Sequence, residues 1–542
     1  MVASALALAA LALRPAPIRH PRLHMVATSE AVSSPSAAAA SAAAAAGPEL
    51  ALLERIDAPA PALTAFDLAE AMATRSLAVT PWKHAFRKLV TDEAFLSHGW
   101  ARRPFKLNAE CGFAVGSYTM RDVERDITQL PPQFVAHGMQ WGNGIYNKPM
   151  DAGFSYSDVA KTMEQATVVM LNAGFIVPAL AQVSLAMLEA TQLPIWTNVY
   201  LSRKGLTRST QLHTDQQDVF LVQTTGRKRW RVYAPPAPAE TPAHDPFARG
   251  KGEDQMATDD GALLIDTVME PGQLLYIPAG FPHATDTMVD AAAAAGREEG
   301  EAGQAQAQEE EPSVHLTVGV DTHLWSLSYA HLRAHALRRA GESAELADGR
   351  PVTALPAERW AALHEPLPLG FLSAPILAPL LAEGGAATGG ADAAEAAACR
   401  AMAERAAATM LLAEPMRWQG KDAAALREHL KLDEAAARMV EHHRHVLAVQ
   451  TRMYLRAAHR PSAGGAGGAG AALGAKEQKA ATAALMQDMD ELDAAMAALD
   501  AWSAGAAADG GAAKAGFGGG GGGGGAGSAA SKKKGAAKKK KR

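Results

Sequence analysis

Short apolar runs dominate the middle of the chain and are separated by Gly- and Pro-containing turns, which is the pattern of β-strands. Short strands at this spacing usually form an antiparallel sandwich or barrel, and this is the core we expect. Just before them, residues 155–193 predict a short strand followed by an amphipathic helix. The predicted core strands are Trp196–Leu201, Asp218–Thr224, Lys228–Tyr233, Leu263–Val268, Gln273–Ile277 and Val314–Val320.

The pattern becomes helical after Trp325, where apolar residues recur at helical spacing. The predicted helices are Tyr329–Ala340, Ala357–His364, Ala391–Ala413, Ala423–His459 and Lys476–Trp502. The fold class is therefore mainly β with α. We expect a β core with flanking helices, followed by an all-helical C-terminal domain.

Low-complexity segments separate and flank these regions. Alanine inflates the 48% hydrophobic content, because alanine runs offer no side chains that can build a core. The acidic, Ala-rich stretch 290–312 predicts a disordered surface insertion. The predicted organisation is a targeting or low-complexity segment 1–48, a β-rich domain 85–325, a helical domain 326–460, and a tail 461–542 with Gly/Ala linker, one helix and a Lys-rich end.

The two ends of the chain give different signals for localisation. No acidic residue precedes Glu30, and Arg14, Arg19 and Arg22 lie among small and apolar residues, which favours a plastid or mitochondrial presequence. The alternative is a nuclear or nucleolar location, read from the Lys-rich tail 531–542.

Charge and composition exclude several classes of partner. Removing the eight positive charges of the tail from the net charge of −5 leaves −13, so only the tail is suited to RNA or ribosome contact. No apolar run reaches the roughly 18 residues of a membrane span, so we expect no membrane partner. Cys111 and Cys399 have no paired spacing, which excludes a disulfide framework or a zinc ribbon.

A metal site is predicted from His213 and Asp215, because residues i and i+2 of an extended segment face the same side. Such a triplet is expected about once by chance in a chain of this composition, so its setting among strands carries the interpretation. His283, after a strand and a Pro/Gly-rich turn, is the predicted third ligand. Two histidines and one carboxylate leave three open positions, which suits non-haem Fe(II) better than zinc.

The segment Asp218–Tyr233 reads as a hairpin in which strand alternation turns one lysine inward. Arg229 and Arg231 share one face, whereas Lys228 shares the other with the apolar Trp230. A buried ammonium needs an anion, either from an internal Asp or Glu or from a ligand. A dicarboxylate that chelates iron at one end and meets Lys228 at the other explains both observations, and 2-oxoglutarate is such a molecule.

At this point the sequence resembles a known family, the JmjC-type cupin-fold oxygenases, and within it the ribosomal oxygenase group of protein hydroxylases. The resemblance implies a double-stranded β-helix (cupin or jelly-roll) core. It covers about residues 95–325 and rests on six blocks in the order of the family: 95–107, 166–189, 198–205, 213–233, 272–285 and 313–319.

The resemblance assigns roles to single residues. His213, Asp215 and His283 match the catalytic iron ligands, and Lys228 matches the lysine that pairs with the far carboxylate of 2-oxoglutarate. A protein of this family uses Fe(II) as cofactor and 2-oxoglutarate as cosubstrate.

Further cosubstrate contacts are also implied by the resemblance. Asn198 and Tyr200 fall where the family lines the cosubstrate pocket, and Thr210 is a weaker candidate taken from more distant relatives. The family often has a serine near the cosubstrate where this chain has Gly319, and Thr317 is the predicted compensating hydroxyl.

The leading hypothesis is an Fe(II)- and 2-oxoglutarate-dependent dioxygenase that hydroxylates a His or Arg side chain of a ribosomal protein. The alternatives are a JmjC histone lysine demethylase and a catalytically silent scaffold that binds RNA or ribosomes through its tail. By position, the C-terminal helices resemble a dimerising region with a small winged-helix module, so a homodimer is expected.

The remaining histidines receive structural interpretations. We expect the run 442–445 (HHRH) to be a solvated basic face, because adjacent helical positions do not face one another. His315 and His323 are expected to be strand or turn histidines rather than metal ligands.

Overall fold

Two antiparallel β-sheets form the centre of the protein. The strands are β1 (Phe105–Leu107), β2 (Val135–Trp141), β3 (Gly144–Pro149), β4 (Val168–Met170), β5 (Ile195–Ser202), β6 (Thr210–His213), β7 (Asp218–Thr225), β8 (Lys228–Tyr233), β9 (Leu263–Met269), β10 (Leu274–Ile277), β11 (His283–Asp286) and β12 (Ser313–Val320). The larger sheet has the order β1-β10-β7-β12-β5-β4-β2-β3, and the smaller has the order β6-β11-β8-β9. All pairings are antiparallel, as predicted.

The structure is a computed structural model. It describes residues 81–90, 92, 95–107, 113–141, 144–235, 247–250, 256, 261–288, 311–350, 352, 355, 357–367, 391–460 and 475–505. The predicted presequence, most of the acidic insertion and the Lys-rich tail lie outside these residues. Within them, no helix combines the length and the apolar character needed to cross a membrane.

The two sheets pack face to face through apolar side chains. Val219 and Leu221 of the larger sheet form one buried cluster with Trp230 and Val232 of the smaller sheet. This arrangement is the jelly-roll core of a cupin fold, as the resemblance implied. All six predicted core strands are present, with ends that differ by one residue at most.

The turn between β7 and β8 corrects the predicted hairpin. These consecutive strands lie in different sheets, so the two-residue turn Gly226–Arg227 carries the chain from one layer to the other. Gly226 has φ of +62°, and a Cβ at this position would lie 2.5 Å from the carbonyl oxygen of Pro312. Glycine is required here both for its backbone conformation and for the close approach of the strand that leads into β12.

Helices cover the larger sheet and continue into the C-terminal region. They are α1 (Pro81–Val90), α2 (Met120–Asp126), α3 (Tyr156–Met163), α4 (Pro178–Thr191), α5 (Tyr329–Arg339), α6 (Ala357–His364), α7 (Ala391–Ala413), α8 (Ala423–His429), α9 (Leu432–Ala458) and α10 (Ala475–Ser503). The predicted helix Ala423–His459 is two helices, because Lys431 adopts a left-handed conformation with φ of +49° between α8 and α9.

The C-terminal helices pack directly on the β core. The backbone N–H of Ile195 at the start of β5 donates to Gln450 Oε1 at 2.9 Å, and the Tyr454 hydroxyl donates to the carbonyl of Ile195. Arg333 of α5 donates two hydrogen bonds to the buried carboxylate of Glu414, just after α7, at 2.5 and 2.8 Å. These contacts belong to one compact unit that extends through Gly505. The predicted boundary between a β-rich domain and a helical domain at residue 326 stays a prediction.

The interpretation of residues 442–445 as a solvated basic face is wrong for two of the four. His442 and His443 are buried in α9, and His442 Nε2 lies 3.1 Å from the carbonyl oxygen of Trp325. Burial lowers the pKa of His442 to about 4 and that of His443 to about 3, so both rings are neutral at pH 7. Only Arg444 and His445 reach the surface.

We predict that Gly226→Ala destabilises the protein far more than Gly153→Ala. Both glycines have positive φ, which costs alanine about 1–2 kcal/mol. A Cβ at Gly153 meets nothing within 4 Å, whereas one at Gly226 meets the Pro312 backbone and adds about 1–3 kcal/mol of overpacking. Chemical and thermal unfolding of the two variants measures the difference. Equal losses of stability would show that the turn tolerates a side chain.

Candidate metal centre

Adjacent strands of the smaller sheet bring the three predicted ligands together. His213 ends β6 and is paired directly with His283 at the start of β11, and Asp215 follows two residues after β6. One ligand atom from each lies within 4.8 Å of the others. His213 Nε2 is 3.6 Å from Asp215 Oδ1, and His283 Nε2 is 3.4 Å from Asp215 Oδ2.

Backbone carbonyls orient both imidazole rings. His213 Nδ1 lies 2.7 Å from the carbonyl oxygen of Gln211, and His283 Nδ1 lies 3.0 Å from that of Phe281. A carbonyl oxygen can only accept, so each Nδ1 carries the hydrogen. In the neutral rings, the lone pair is then on Nε2, which faces Asp215. This tautomer is the one that a metal-binding histidine needs, and the donor set fits an Fe(II) ion.

Neighbouring backbone holds the segment that carries Asp215. The N–H of Gly280 donates to the carbonyl of Asp215 at 3.0 Å. Thr214 and Arg249 exchange two hydrogen bonds, from Thr214 N to the Arg249 carbonyl and from Arg249 N to Thr214 Oγ1. The carboxylate is therefore placed by a fixed backbone rather than by a free loop.

A cavity between the two sheets opens next to the triad. Its lining residues are Tyr200, Thr210, His213, Asp215, Val219, Leu221, Trp230, His283, His315 and Thr317. Three predicted cosubstrate residues thus reach the cavity from the wall opposite or beside the ligands: Tyr200, Thr210 and Thr317. Burial, with a further contribution from Asp215, raises the pKa of Tyr200, so its hydroxyl remains a hydrogen-bond donor.

The side chain of Asn198 forms hydrogen bonds within the fold. Its Oδ1 accepts hydrogen bonds from Asn172 N and from Trp196 Nε1, both at 2.8 Å. Asn198 is buried but is not among the described residues that line the cavity. Its role toward a cosubstrate stays a prediction.

Lys228 is fully buried between the sheets, as strand alternation predicted. Its Nζ donates to Ser202 Oγ at 3.3 Å and lies 5.8 Å from the ring centre of Tyr200 and 5.7 Å from that of Trp230. Within the described part of the chain, no Asp or Glu carboxylate forms a salt bridge with Lys228. The alternative explanation of its burial, an internal Lys–Asp or Lys–Glu pair, is therefore not supported by these residues. Burial lowers the pKa of Lys228 to about 7, although Asp286 opposes this shift.

His315 lines the cavity, although the sequence interpretation gave it no functional role. Its ring stacks on Tyr200 with 4.9 Å between ring centres and meets Trp230 edge-on at 5.3 Å. Two residues further on, the Thr317 hydroxyl is buried without a hydrogen-bond partner among the described residues. Thr317 was predicted, and the signal for His315 was also available in the sequence, since positions 315 and 317 of a strand share one face.

The side chain of Gln217 lies close to Gly319, the position at which the family often has a serine. A Cβ at Gly319 would lie 3.2 Å from both Cδ and Oε1 of Gln217. The amide of Gln217 therefore occupies the space into which a side chain at position 319 would point.

Comparison with known proteins agrees with this geometry. The family model of the JmjC domain matches residues 174–296. The match includes His213, Asp215 and His283, and also Lys228, but it ends before β12.

Curated relatives match parts of the chain. Ribosomal oxygenase 1 of Danio rerio is 26% identical over 207 residues, which is 37% of this chain and 37% of that protein. The ribosomal protein uL16 3-hydroxylase of Escherichia coli (strain K12) is 44% identical over 71 residues, covering 13% and 17%. The bifunctional lysine-specific demethylase and histidyl-hydroxylase NO66 of Drosophila mojavensis is 33% identical over 121 residues, covering 22% and 13%.

The chain spans between 13% and 37% of the length of these three relatives. On the family match and the observed jelly-roll architecture, the protein contains a JmjC domain with the cupin fold.

Proposed function

We propose that this protein is an Fe(II)- and 2-oxoglutarate-dependent oxygenase that hydroxylates a side chain of a ribosomal protein. The observation that carries the proposal is that three convergent metal ligands line one cavity together with Trp230, and that a buried lysine lies close to the same indole ring. The ring centre of Trp230 is 6.0 Å from that of His283, and Lys228 Nζ is 5.7 Å from the same indole.

Each residue has a defined task in this reaction. His213, Asp215 and His283 would hold the metal, and a site with only three protein ligands would remain open to cosubstrate and oxygen. Lys228 binds the far carboxylate of the diacid. When bound, iron and 2-oxoglutarate supply the oxidising power for insertion of oxygen into a C–H bond. The buried aromatic walls exclude water from this end of the cavity.

The names of the relatives support a protein substrate and hydroxylation of ribosomal protein. The Escherichia coli relative is named as a hydroxylase of the ribosomal protein uL16. The Drosophila relative is named both as a demethylase and as a histidyl-hydroxylase, which keeps histone lysine demethylation as the second candidate. Mass spectrometry of ribosomal and histone peptides after turnover separates the two, because hydroxylation adds one oxygen and demethylation removes a methyl group.

Further partners belong to the same proposal. The Lys-rich tail provides salt-dependent affinity for ribosomal RNA through release of counterions. We also propose a homodimer formed through the C-terminal helices, and import into a plastid or mitochondrion directed by the N-terminal segment. A nuclear location directed by the tail is the alternative, and imaging of truncated chains decides between them.

We predict that His213→Ala abolishes both metal binding and turnover. Removing a residue that hydrogen-bonds to a metal ligand weakens metal affinity by about 10–100-fold, and we expect removal of the ligand itself to have a larger effect. Anaerobic titration with Fe(II) or Mn(II) measures binding, and succinate formation measures turnover. His429→Ala is the control, since that ring is at the surface and pairs with Glu342 at 2.8 Å. Unchanged metal affinity in His213→Ala would remove the basis of the proposed function.

We predict that binding of 2-oxoglutarate takes up a proton at pH 8. With a pKa of about 7 in the free protein, Lys228 is mostly neutral at pH 8, and a carboxylate raises this pKa. Uptake of roughly 0.9 of a proton per site is expected from this difference. Affinity is therefore greatest below pH 7 and falls as the pH rises above 7.

Calorimetry of Mn(II)-loaded protein in buffers with different ionisation enthalpies measures this uptake. Lys228→Met is expected to bind weakly and without proton uptake. Proton uptake of equal size in Lys228→Met would assign the proton to another group.

A further inference from the structure

His315 is a buried polar side chain in the cavity for which the reaction outlined above has no use. It is the third residue of β12, paired with Tyr200 of β5 on one side and with Gln223 of β7 on the other. Its side chain is 2% exposed, and Nδ1 has no hydrogen-bond partner among the described residues. A buried nitrogen without a partner is costly, so its retention calls for a ligand.

The position of His315 relative to Lys228 identifies the end of the cavity to which it belongs. The imidazole contacts the rings of Tyr200 and Trp230, and the Lys228 ammonium lies within 5.8 Å of the centres of the same two rings. The two polar groups therefore share one aromatic box. They approach it from opposite sheets, since Lys228 is on β8 and His315 on β12.

The charge state of His315 suits hydrogen bonding rather than ion pairing. Burial and the positive charge of Lys228 lower the pKa of His315 well below its ordinary value. A neutral imidazole carries one N–H donor and one lone pair. Beside an ammonium, a carboxylate is the ligand that can accept from both groups, because its two oxygens offer several lone pairs.

Two structural roles explain the residue less well. A phenylalanine would fill the same space and stack on Tyr200 without burying an unpaired nitrogen. A second metal site is also not supported, because within the described part of the chain the set of His, Cys, Asp and Glu with metal-ligand spacing consists of His213, Asp215 and His283.

We propose that His315 is a cosubstrate-binding residue whose imidazole N–H donates to the same carboxylate of 2-oxoglutarate that Lys228 binds. The inference rests on the proposed function and adds a neutral donor to the single charged one. It also accounts for the absence of a side chain at Gly319: the cosubstrate is held from β12 by His315, with the Thr317 hydroxyl available beside it.

The test is the affinity of Mn(II)-loaded protein for 2-oxoglutarate, measured by calorimetry in the wild type and in His315→Phe. The Phe variant retains the stacked ring and removes the donor. A hydrogen bond to a charged group corresponds to a loss of about 10-fold or more in affinity. Mn(II) affinity should stay within about 2-fold of wild type, because the metal ligands are untouched. His443→Phe is the matched control, since His443 is equally buried but lies on α9 outside the cavity lining.

A second pair of variants keeps the test decisive if His315→Phe does not fold, as judged by circular dichroism. Asn presents its amide nitrogen near the position of Nδ1, and Gln presents it near that of Nε2. We expect His315→Asn to bind 2-oxoglutarate within about 3-fold of wild type and His315→Gln to lose affinity like the Phe variant.

The outcomes separate this inference from the proposed function. Wild-type affinity in His315→Phe, or equal affinity in the Asn and Gln variants, would overturn the role of His315 and leave the oxygenase proposal standing. Failure of the Mn(II)-loaded wild type to bind 2-oxoglutarate would overturn both.

Discussion

The pairing of β6 with β11 is the interaction on which the site depends. It places His213 directly opposite His283, and Asp215 follows at the distance that lets its two oxygens face both rings. Side chains alternate between the faces of a sheet, so a slip of one residue would turn an imidazole away from the cavity. The register shifts between His283 and Thr285, so the next pair of the ladder is Thr285 with Thr210.

The sequence predicted most of the core but missed the strands that carry the ligands. Four of the six predicted strands, β5, β7, β10 and β12, are mostly apolar and largely buried on both faces, which makes their pattern easy to read. β6 and β11 have four residues each and contain polar side chains, so propensity alone does not reveal them. The metal triad was nevertheless predicted, because His213, Asp215 and His283 lie next to strands that were recognised and match the ligand positions of the resembling family.

The errors have physical causes. The hairpin at Asp218–Tyr233 was wrong because a two-residue turn with Gly226 is compatible both with a hairpin and with a crossing between sheets, and only tertiary packing distinguishes them. His442 and His443 were wrongly assigned to a solvated face because polar residues are mostly exposed, whereas here the helix packs against the segment that contains Trp325. The position of His315 in the cavity was not predicted, because strand alternation shows which residues share its face but not the rings of Tyr200 and Trp230 that surround it.

The hydrogen bond from Lys228 to Ser202 joins the two layers, because β8 belongs to the smaller sheet and β5 to the larger. All three metal ligands come from the smaller layer, whereas Tyr200 and Thr317 come from the larger. A diacid that joined the metal ligands to Lys228 would run along the smaller layer, because β6, β8 and β11 all belong to it. The Ser202 hydroxyl is then the point at which the larger layer anchors the buried ammonium, so the two sheets cannot separate there without breaking this contact.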